Sequence, residues 1–558
     1  MKFKEVLKRI SPTNEGVLRD YLTQCGIENC DLYLNVNTNN GFEYDYFDYD
    51  HMREAVEIFL KYQGKDIYIV SDPDVDGILS TAILLNFCDK LNINAHPLVH
   101  EGKIHGLADE DIMDYIIHNP LELVIIPDAS GSEKQCKKLK EAGVKDIIIL
   151  DHHPVNLDNT EAIIVNTHIP TNGVLQTNKD LSGTGVVYKF VIAVCYTLKI
   201  DVPYYIDLVA CSILSDVCDL RSNENHYYVQ HGLNNINNTF LNELVRELDN
   251  NEDKSIPESV VWNIVPKLNA VMRSDDTVLK STLLWLFAEQ IDGIDVDNII
   301  KELKKWHRKQ QTLTKKWATD LEATLNPNDK INVIFSEEPL GNYTGLVAGK
   351  ITGDTLKPTI LVHQDSSDNN KAIGSVRSPI PLLDITNDSG LFDWCEGHQS
   401  AYGVKLDKNK LYDLQLWGNN LTLDTDPAHE VIRVYNNPNL IPEYLFAFGN
   451  EYKDLWGKGI SYPMFGIRDI EIYGNDIYEI GRNKTTIKFN YQGVDFIKFL
   501  CSKEVRESLY IGQKKKLYID VVGKLEYKVY NGVVNKQIVI DSFDVKTNKE
   551  SQNWSDLF

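Results

Sequence analysis

The sequence predicts an α/β protein with a parallel-sheet domain, a smaller mixed α/β domain joined to it by a long helix, and a C-terminal OB-like β-barrel. Three observations carry this. From Asp66 onward, short β-branched runs alternate with helical stretches, the rhythm of βαβ units. The segment from Val296 to Leu325 contains neither proline nor glycine and reads as one long helix. Beyond about residue 428, alternating segments such as Leu517 to Val522 and Gln537 to Ile540, with turn residues such as Asn531-Gly532 between them, read as short strands of a small barrel.

In chain order, the first strand run is Ile67-Tyr68-Ile69-Val70, followed by a helix-like stretch from Ile78 to Leu91. Leu123 to Ile126 and Ile147 to Leu150 repeat the pattern. Short, continuously apolar runs of this kind are buried on both faces, as in a parallel sheet. They lead into Asp72, Asp128 and Asp151, which places carboxylates just past the carboxyl ends of the strands, where open α/β sheets bind ligands. Apolar helical blocks from Val186 to Leu198 and from Tyr204 to Leu214 follow, the second ending in Ser215-Asp216.

The expected divisions are an N-terminal helical extension over 1–60, the sheet domain over 61–235, a helical connector over 236–325, the second α/β domain over 326–427 and the barrel over 428–558. The long helix carries Lys301, Lys304, Lys305, Arg308, Lys309, Lys315 and Lys316 together with Trp306 and Trp317. Two readings stand side by side: an amphipathic connector whose tryptophans pack inward, or a phosphate-facing helix in the interdomain cleft.

Composition narrows the function classes. A chain of 558 residues exceeds one hydrophobic core and suggests three or four domains. No apolar run approaches the ~20 residues that a membrane-spanning helix requires, so no membrane role is expected. Met1 to Val6 lacks the features of a secretion signal, and nine scattered cysteines do not form a disulfide framework, which together predict a reducing, cytoplasmic setting. Cys25 and Cys30 have no second ligand pair nearby and read as buried thiols. The net charge of −24 weighs against indiscriminate polyanion binding. Any nucleic-acid path must be local, and part of the acidity suits divalent cations.

The strongest local signal is Ser71-Asp72-Pro73-Asp74-Val75-Asp76-Gly77, three carboxylates at alternate positions between a strand and a helix. Their mutual repulsion is costly without a cation; the bland reading is a helix N-cap with acidic first-turn residues. Asp128, Asp151-His152-His153 and Asp216 add oxygen and imidazole donors after successive apolar runs. Such mixed donors suit Mn²⁺ well and Mg²⁺ tolerably. A pair of these ions roughly 3.5–4 Å apart can activate water and clamp both oxygens of a phosphate-ester displacement.

These ordered motifs resemble the DHH phosphoesterase superfamily. The resemblance implies metal ligation by Asp72, Asp74, Asp76, Asp128, His152 and Asp216, with Asp128 bridging two Mn²⁺ or Mg²⁺ ions. It implies catalytic or supporting roles for Asp151 and His153, with Asp151 orienting an imidazole and His153 able to protonate a leaving oxygen.

The rest of the chain is similar to the RecJ family of single-strand-specific exonucleases. His105-Gly106-Leu107, Leu181 to Val187, Pro266-Lys267-Leu268-Asn269-Ala270 with Arg273, Gly374 to Ser378, and Glu396 to Gly403 all match its motifs. Lys267, Met272 and Glu396 stand where that family has Arg, Gly and Gly. The resemblance implies a DHH-associated second domain and substrate contacts from Lys103, His105, Asn269, Arg273, Ser375, Arg377, Gly397 and His398, with His398 donating to the scissile group. It also implies 5′-to-3′ hydrolysis of single-stranded DNA by a monomer, with single-strand-binding protein as a partner. Tyr491, Lys514, Lys515, Lys516 and Tyr527 are barrel positions suited to gripping a strand. The competing expectation is a nanoRNase or nucleotide phosphatase of the same superfamily acting on short oligonucleotides.

Overall fold

The computed structural model describes residues 1–37, 49–102, 104–154, 159–170, 178–248, 255–422, 428–530 and 533–546. The chain begins with strand β1 (Phe3–Glu5) and helices α1 (Asn14–Gln24), α2 (Cys30–Leu34) and α3 (Met52–Leu60). The expectation of one N-terminal extension over 1–60 gives way to a split. β1 pairs in parallel with His429–Val431, and Val17, Leu18, Leu22 and Tyr33 lie in the core of the C-terminal domain, while Val56 and Phe59 of α3 lie in that of the sheet domain. Each helix is amphipathic and too short to stand alone, so each buries its apolar side on the nearest large core.

The sheet domain runs β2 (Asp66–Ser71), α4 (Val75–Lys90), β3 (Asn94–Val99), α5 (Glu110–His118), β4 (Leu123–Pro127), α6 (Glu133–Ala142), β5 (Asp146–Asp151), β6 (Ile163–Asn166), α7 (Gly183–Leu198), α8 (Ile206–Ser215) and α9 (Asn223–Asn234). Its five strands are all parallel, in the order β3-β2-β4-β5-β6. The pleat explains the continuous apolar runs. Ile67, Ile69, Leu123, Ile125, Ile148 and Leu150 face the core that holds α4 and α7, while Tyr68, Val70, Val124, Ile126, Ile147 and Ile149 face the opposite core with α5 and α6. After β2 the chain winds to one side and after β3 it crosses to the other, so the sheet's switch point lies between β2 and β4.

The connector contains α10 (Thr239–Leu248), a π-helical turn (Val260–Ile264) running into α11 (Val265–Met272), α12 (Thr277–Phe287) and the long α13 (Val296–Glu322). Ile299, Ile300 and Leu303 of α13 belong to the sheet-domain core with Trp306 against it, and Ala318 and Trp317 belong with the second domain. One amphipathic stripe thus reaches two cores, and the inward-packing reading of the tryptophans describes this helix.

The second domain contains β7 (Asn332–Ser336), α14 (Thr344–Thr355), β8 (Thr359–Gln364), β9 (Lys371–Arg377), α15 (Leu383–Asp388), β10 (Trp394–His398), β11 (Ala401–Asp407) and α16 (Leu411–Asn420). Its five-stranded mixed sheet has the order β10-β11-β9-β8-β7.

The C-terminal domain contains β12 (His429–Val431), β13 (Val434–Tyr435), α17 (Leu445–Glu451), β14 (Phe465–Tyr473), β15 (Tyr478–Ile480), β16 (Thr486–Tyr491), β17 (Val494–Lys498), α18 (Lys503–Ser508), β18 (Lys516–Tyr530) and β19 (Val533–Lys546). Seven strands form one sheet in the order β13-β14-β18-β19-β17-β16-β15. The strands at its centre are longer than the sequence suggests: β18 and β19 span 15 and 14 residues. Gly523 sits inside β18 at a register shift, and β14 shifts between Ile467 and Ile470. Such irregularities curl a sheet and let apolar alternation continue around it. Asn531-Gly532 lies outside the described residues.

Candidate metal centre and phosphate pocket

Asp72 and Asp128 follow β2 and β4, and Asp151 ends β5, so adjacent strands deliver their carboxylates to one edge of the sheet at the switch point. Asp74 caps α4, its Oδ1 accepting the Gly77 N–H at 3.0 Å, so the capping reading of this residue is also realised. Asp76 is buried in the first turn of α4 and accepts from Gly183 N at 2.8 Å, Thr184 N at 2.8 Å, Thr184 Oγ1 at 2.6 Å and Ser212 Oγ at 2.5 Å. The positive end of α7 therefore holds this carboxylate. Gly183 is required by space, because a Cβ there would collide with the Asp128 carboxylate.

Asp128 is buried, with φ at +57°, a left-handed conformation that Asp tolerates better than most residues and that concentrates at functional sites. Its Oδ1 stands 3.2 Å from His152 Nε2, and neither atom makes a hydrogen bond among the described residues. His152 Nε2 is also 3.6 Å from Asp216 Oδ2 and 3.8 Å from Asp76 Oδ2. Three sets of donors have their ligand atoms within 4.8 Å of one another: Asp72 with Asp74 and Asp128; Asp76 with His152 and Asp216; and Asp128 with His152 and His153.

Electrostatics shows the same deficit of positive charge. Burial, followed by the fields of Asp76, Asp74, Asp72 and Asp216, pushes the Asp128 carboxyl well above its usual range. Burial raises Asp72 to about 6 against the pull of His105, and Asp216 to about 7 against that of His152. Unpaired buried donors beside crowded carboxylates fit divalent cations, which neutralise the charge and take oxygen and imidazole ligands.

Asp151 Oδ1 accepts from His152 N at 2.8 Å, His153 N at 3.2 Å and His153 Nδ1 at 2.8 Å. The imidazole that Asp151 orients is thus His153, not His152. Burial opposes the charged form of His153, but the Asp151 hydrogen bond and the charges of Asp151, Asp216 and Asp72 together outweigh it and raise the group to about 9. His105 Nδ1 is 2.7 Å from Asp72 Oδ2 and Gly106 N donates to Asp72 Oδ1 at 3.2 Å. The expected substrate contact His105 is therefore tied to a carboxylate of the centre. Lys103 lies outside the described residues.

A cationic pocket adjoins this cluster. Arg273 caps α11; burial lowers its pKa and the field of Asp74 raises it. The pKa of Arg377, on β9, is lowered by burial and then by the charge of Arg273. Ser375 and Arg377 share one face of β9, and a Cβ at Gly345 would meet Arg377 Nη2 at 2.5 Å and Ser375 Oγ at 3.4 Å. The side chain of Asn342 donates to the Arg273 carbonyl at 2.8 Å, joining the connector to the second domain. Asn269 Oδ1 is buried without a partner among the described residues. Gly397 pairs with Tyr402 in the β10–β11 ladder. His398 lies at the solvent-exposed end of β10; neighbouring protein partly screens its ring from water and lowers its pKa, with smaller contributions from Lys458, Asp180, His153 and His152.

Sequence reasoning missed Lys280, which is fully buried on α12 and donates to the carbonyls of His100 at 3.0 Å and Gly102 at 3.1 Å. It pins the loop that carries His105. An isolated lysine in an apolar helix, Leu279-Lys280-Ser281-Thr282-Leu283-Leu284, was the available signal. Asn342 and Gly345 carried no comparable mark.

Residues 66–213 match the DHH family, N-terminal domain. The chain carries a DHH domain and is homologous to the RecJ exonucleases. It is 27% identical over 577 aligned positions, covering 97% of this chain and 98% of the other, to YorK of the Bacillus subtilis SPbeta prophage, which carries a provisional assignment as a single-strand DNA-specific exonuclease. It is 24% identical to the single-stranded-DNA-specific exonuclease RecJ of Bacillus subtilis, over 91% of this chain and 65% of that protein. Among solved structures, RecJ from Thermus thermophilus in complex with Mn²⁺ superposes with a TM-score of 0.71 at 21% identity, covering 91% of this chain and 73% of the other. The Mg²⁺ complex gives a TM-score of 0.68 at 19% identity, covering 99% and 78%. The fold is that of RecJ.

Proposed function

We propose that this chain is a metal-dependent exonuclease that hydrolyses single-stranded DNA from its 5′ end. The observation that carries the reading is the crowding of buried carboxylates around Asp128 and His152, whose facing atoms have no hydrogen-bond partner among the described residues, beside two half-buried arginines, Arg273 and Arg377, that feel each other's charge. A phosphodiester strand ending in a phosphate, together with divalent ions, satisfies both.

Asp72, Asp74, Asp76, Asp128, His152 and Asp216 would hold two Mn²⁺ or Mg²⁺ ions, which supply a nucleophile at neutral pH and charge neutralisation at the phosphoryl group. Asp128 and His152 are each common to two of the donor sets, and of the two only the carboxylate has two oxygens to offer, so Asp128 would be the ligand shared between the ions in this reading. Arg273, Arg377 and Ser375 fork onto the terminal phosphate and set the scissile bond at the carboxylate cluster. His153, kept protonated and oriented by Asp151, donates a proton to the leaving oxygen. His398 donates a hydrogen bond to the scissile group, and Asn269, His105 and Lys103 contact the neighbouring nucleotide. The reading extends to a cytoplasmic monomer acting in DNA repair, recombination or replication on strands supplied by single-strand-binding protein.

The test is an oligonucleotide labelled at one end or the other, incubated with Mn²⁺. We expect 5′-labelled mononucleotide to appear first, EDTA to abolish it, and a long strand to be degraded in preference to a dinucleotide. Release from the 3′ end overturns the polarity. Preference for the dinucleotide favours the short-substrate alternative.

A further inference from the structure

A groove of about 290 Å³ opens immediately beyond Asp216, between α8, the π-helical turn and the C-terminal domain. On one wall stands Val217, 55% exposed with φ at +55°, directly after the carboxylate of the candidate metal centre. The floor carries Trp262, 69% exposed, on the turn where Val265 N–H reaches back to the Val260 carbonyl. π-helical insertions of this kind rotate a side chain out of the helix register and recur at functional sites. The far wall is Lys458, Tyr462 and Lys524 from the C-terminal domain. Lys524 Nζ lies 4.2 Å from the Tyr462 ring centroid and 3.1 Å from Glu258, and Lys458 pairs with Asp180 at 3.3 Å.

We propose that this groove binds an unpaired nucleobase, stacked on the Trp262 indole, of the nucleotide on the far side of the scissile bond from the terminal phosphate. The inference rests on the exonuclease reading and deepens it. Aromatic faces stack any base, while nearby ammonium groups attract the linking phosphates. In a chain of net charge −24, two lysines lining one groove with an exposed indole, each held by a single carboxylate, make a locally favourable path for a polyanion. Val217, which lines the groove, follows Asp216 of the carboxylate cluster directly in the chain, which puts a strand held at the centre within reach of the groove. A base within a duplex already has both faces covered, so the site selects a single strand.

The experiment compares wild type, Trp262→Ala and Trp262→Phe on a long single strand with Mn²⁺, using a series of substrates in which one abasic residue is moved along the first nucleotides. We expect Trp262→Ala to raise KM about tenfold and Trp262→Phe to recover most of the loss, the scale of one base–aromatic stack. At one position the abasic residue should weaken wild type and leave Trp262→Ala unchanged. If the abasic penalty in Trp262→Ala equals that of wild type at every position, no base stacks on Trp262 and the inference fails. If wild type degrades no strand with any divalent metal, the exonuclease reading fails instead.

Discussion

The carboxylate cluster and the arginine pocket adjoin one another but are built in different ways. The cluster draws on strand ends of a single sheet, the N-terminus of α4 and the C-terminus of α8, with the first-turn amides of α7 fixing Asp76. The pocket draws on three segments far apart in sequence: Arg273 after α11, the 342–345 stretch before and within α14, and Ser375 with Arg377 on β9. The cluster is therefore rigid within one domain, whereas the pocket exists only while two domains stay together. Damage to the cluster should remove chemistry, and damage to the pocket should mainly remove grip and end preference.

The largest effect belongs to Asp128. Asp128→Ala should lower turnover by roughly three orders of magnitude, since removing a group that the transition state needs commonly costs 10²–10³ or more. Asp128→Asn should do the same to activity while stabilising the metal-free protein by about 1–3 kcal/mol, because the amide avoids the cost of either ionising or protonating a buried carboxyl among like charges. Thermal melting in EDTA checks this; a lower melting temperature for Asp128→Asn would mean that the crowding is already relieved without metal.

Next come Arg377→Ala and Arg273→Ala. Each removes a charge-assisted contact worth about 1.5–3 kcal/mol, so KM for 5′-phosphorylated strands should rise about 10- to 100-fold. The preference over 5′-hydroxyl strands should shrink with it. Equal losses on both kinds of strand would separate these arginines from end recognition.

Lys280→Met should have a smaller effect, about tenfold on activity, by loosening the loop from His100 to Gly106 without touching the cluster. Its pH dependence has a defined sign. Burial lowers Lys280 from 10.5 to about 8, partly countered by Asp275 and Glu101. Between those values the unfolded chain holds a proton that the folded chain has released, so this group's contribution to stability rises with pH across that window. Urea titrations at several pH values should show wild type gaining on Lys280→Met from about pH 8 upward; a constant difference would contradict the assignment. Smallest of all is Lys305→Ala on the outer face of α13, whose exposed pair with Glu302 should leave stability within about 0.5 kcal/mol and strand binding unchanged.

What the sequence revealed follows the same division. Local rules made the sheet domain legible. Alternating pleat faces produced the apolar runs, strand ends fixed the carboxylates, and Asp151-His152-His153 could be placed before any coordinates. The donors around Asp76 were less visible, since Ser212 lies 136 residues away in the chain and only packing of α8 against α4 brings it there. The N-terminal residues could not be assigned to two cores from their own periodicity, because an amphipathic helix does not name its partner. The length of β18 and β19 was hidden because apolar alternation is clear only over short stretches such as Leu517 to Val522, and the register shift at Gly523 breaks its phase. Trp262 gave no sign of exposure, as tryptophan in a helical segment ordinarily packs inward.

The most direct measurement for the central claim is titration of Mn²⁺ into the metal-free protein, followed by calorimetry or by the Mn²⁺ resonance signal, for wild type and Asp128→Ala. Two bound ions per wild-type chain, with both affected by Asp128→Ala, are predicted. No saturable binding, or binding that Asp128→Ala leaves unchanged, would contradict a metal centre built on Asp128.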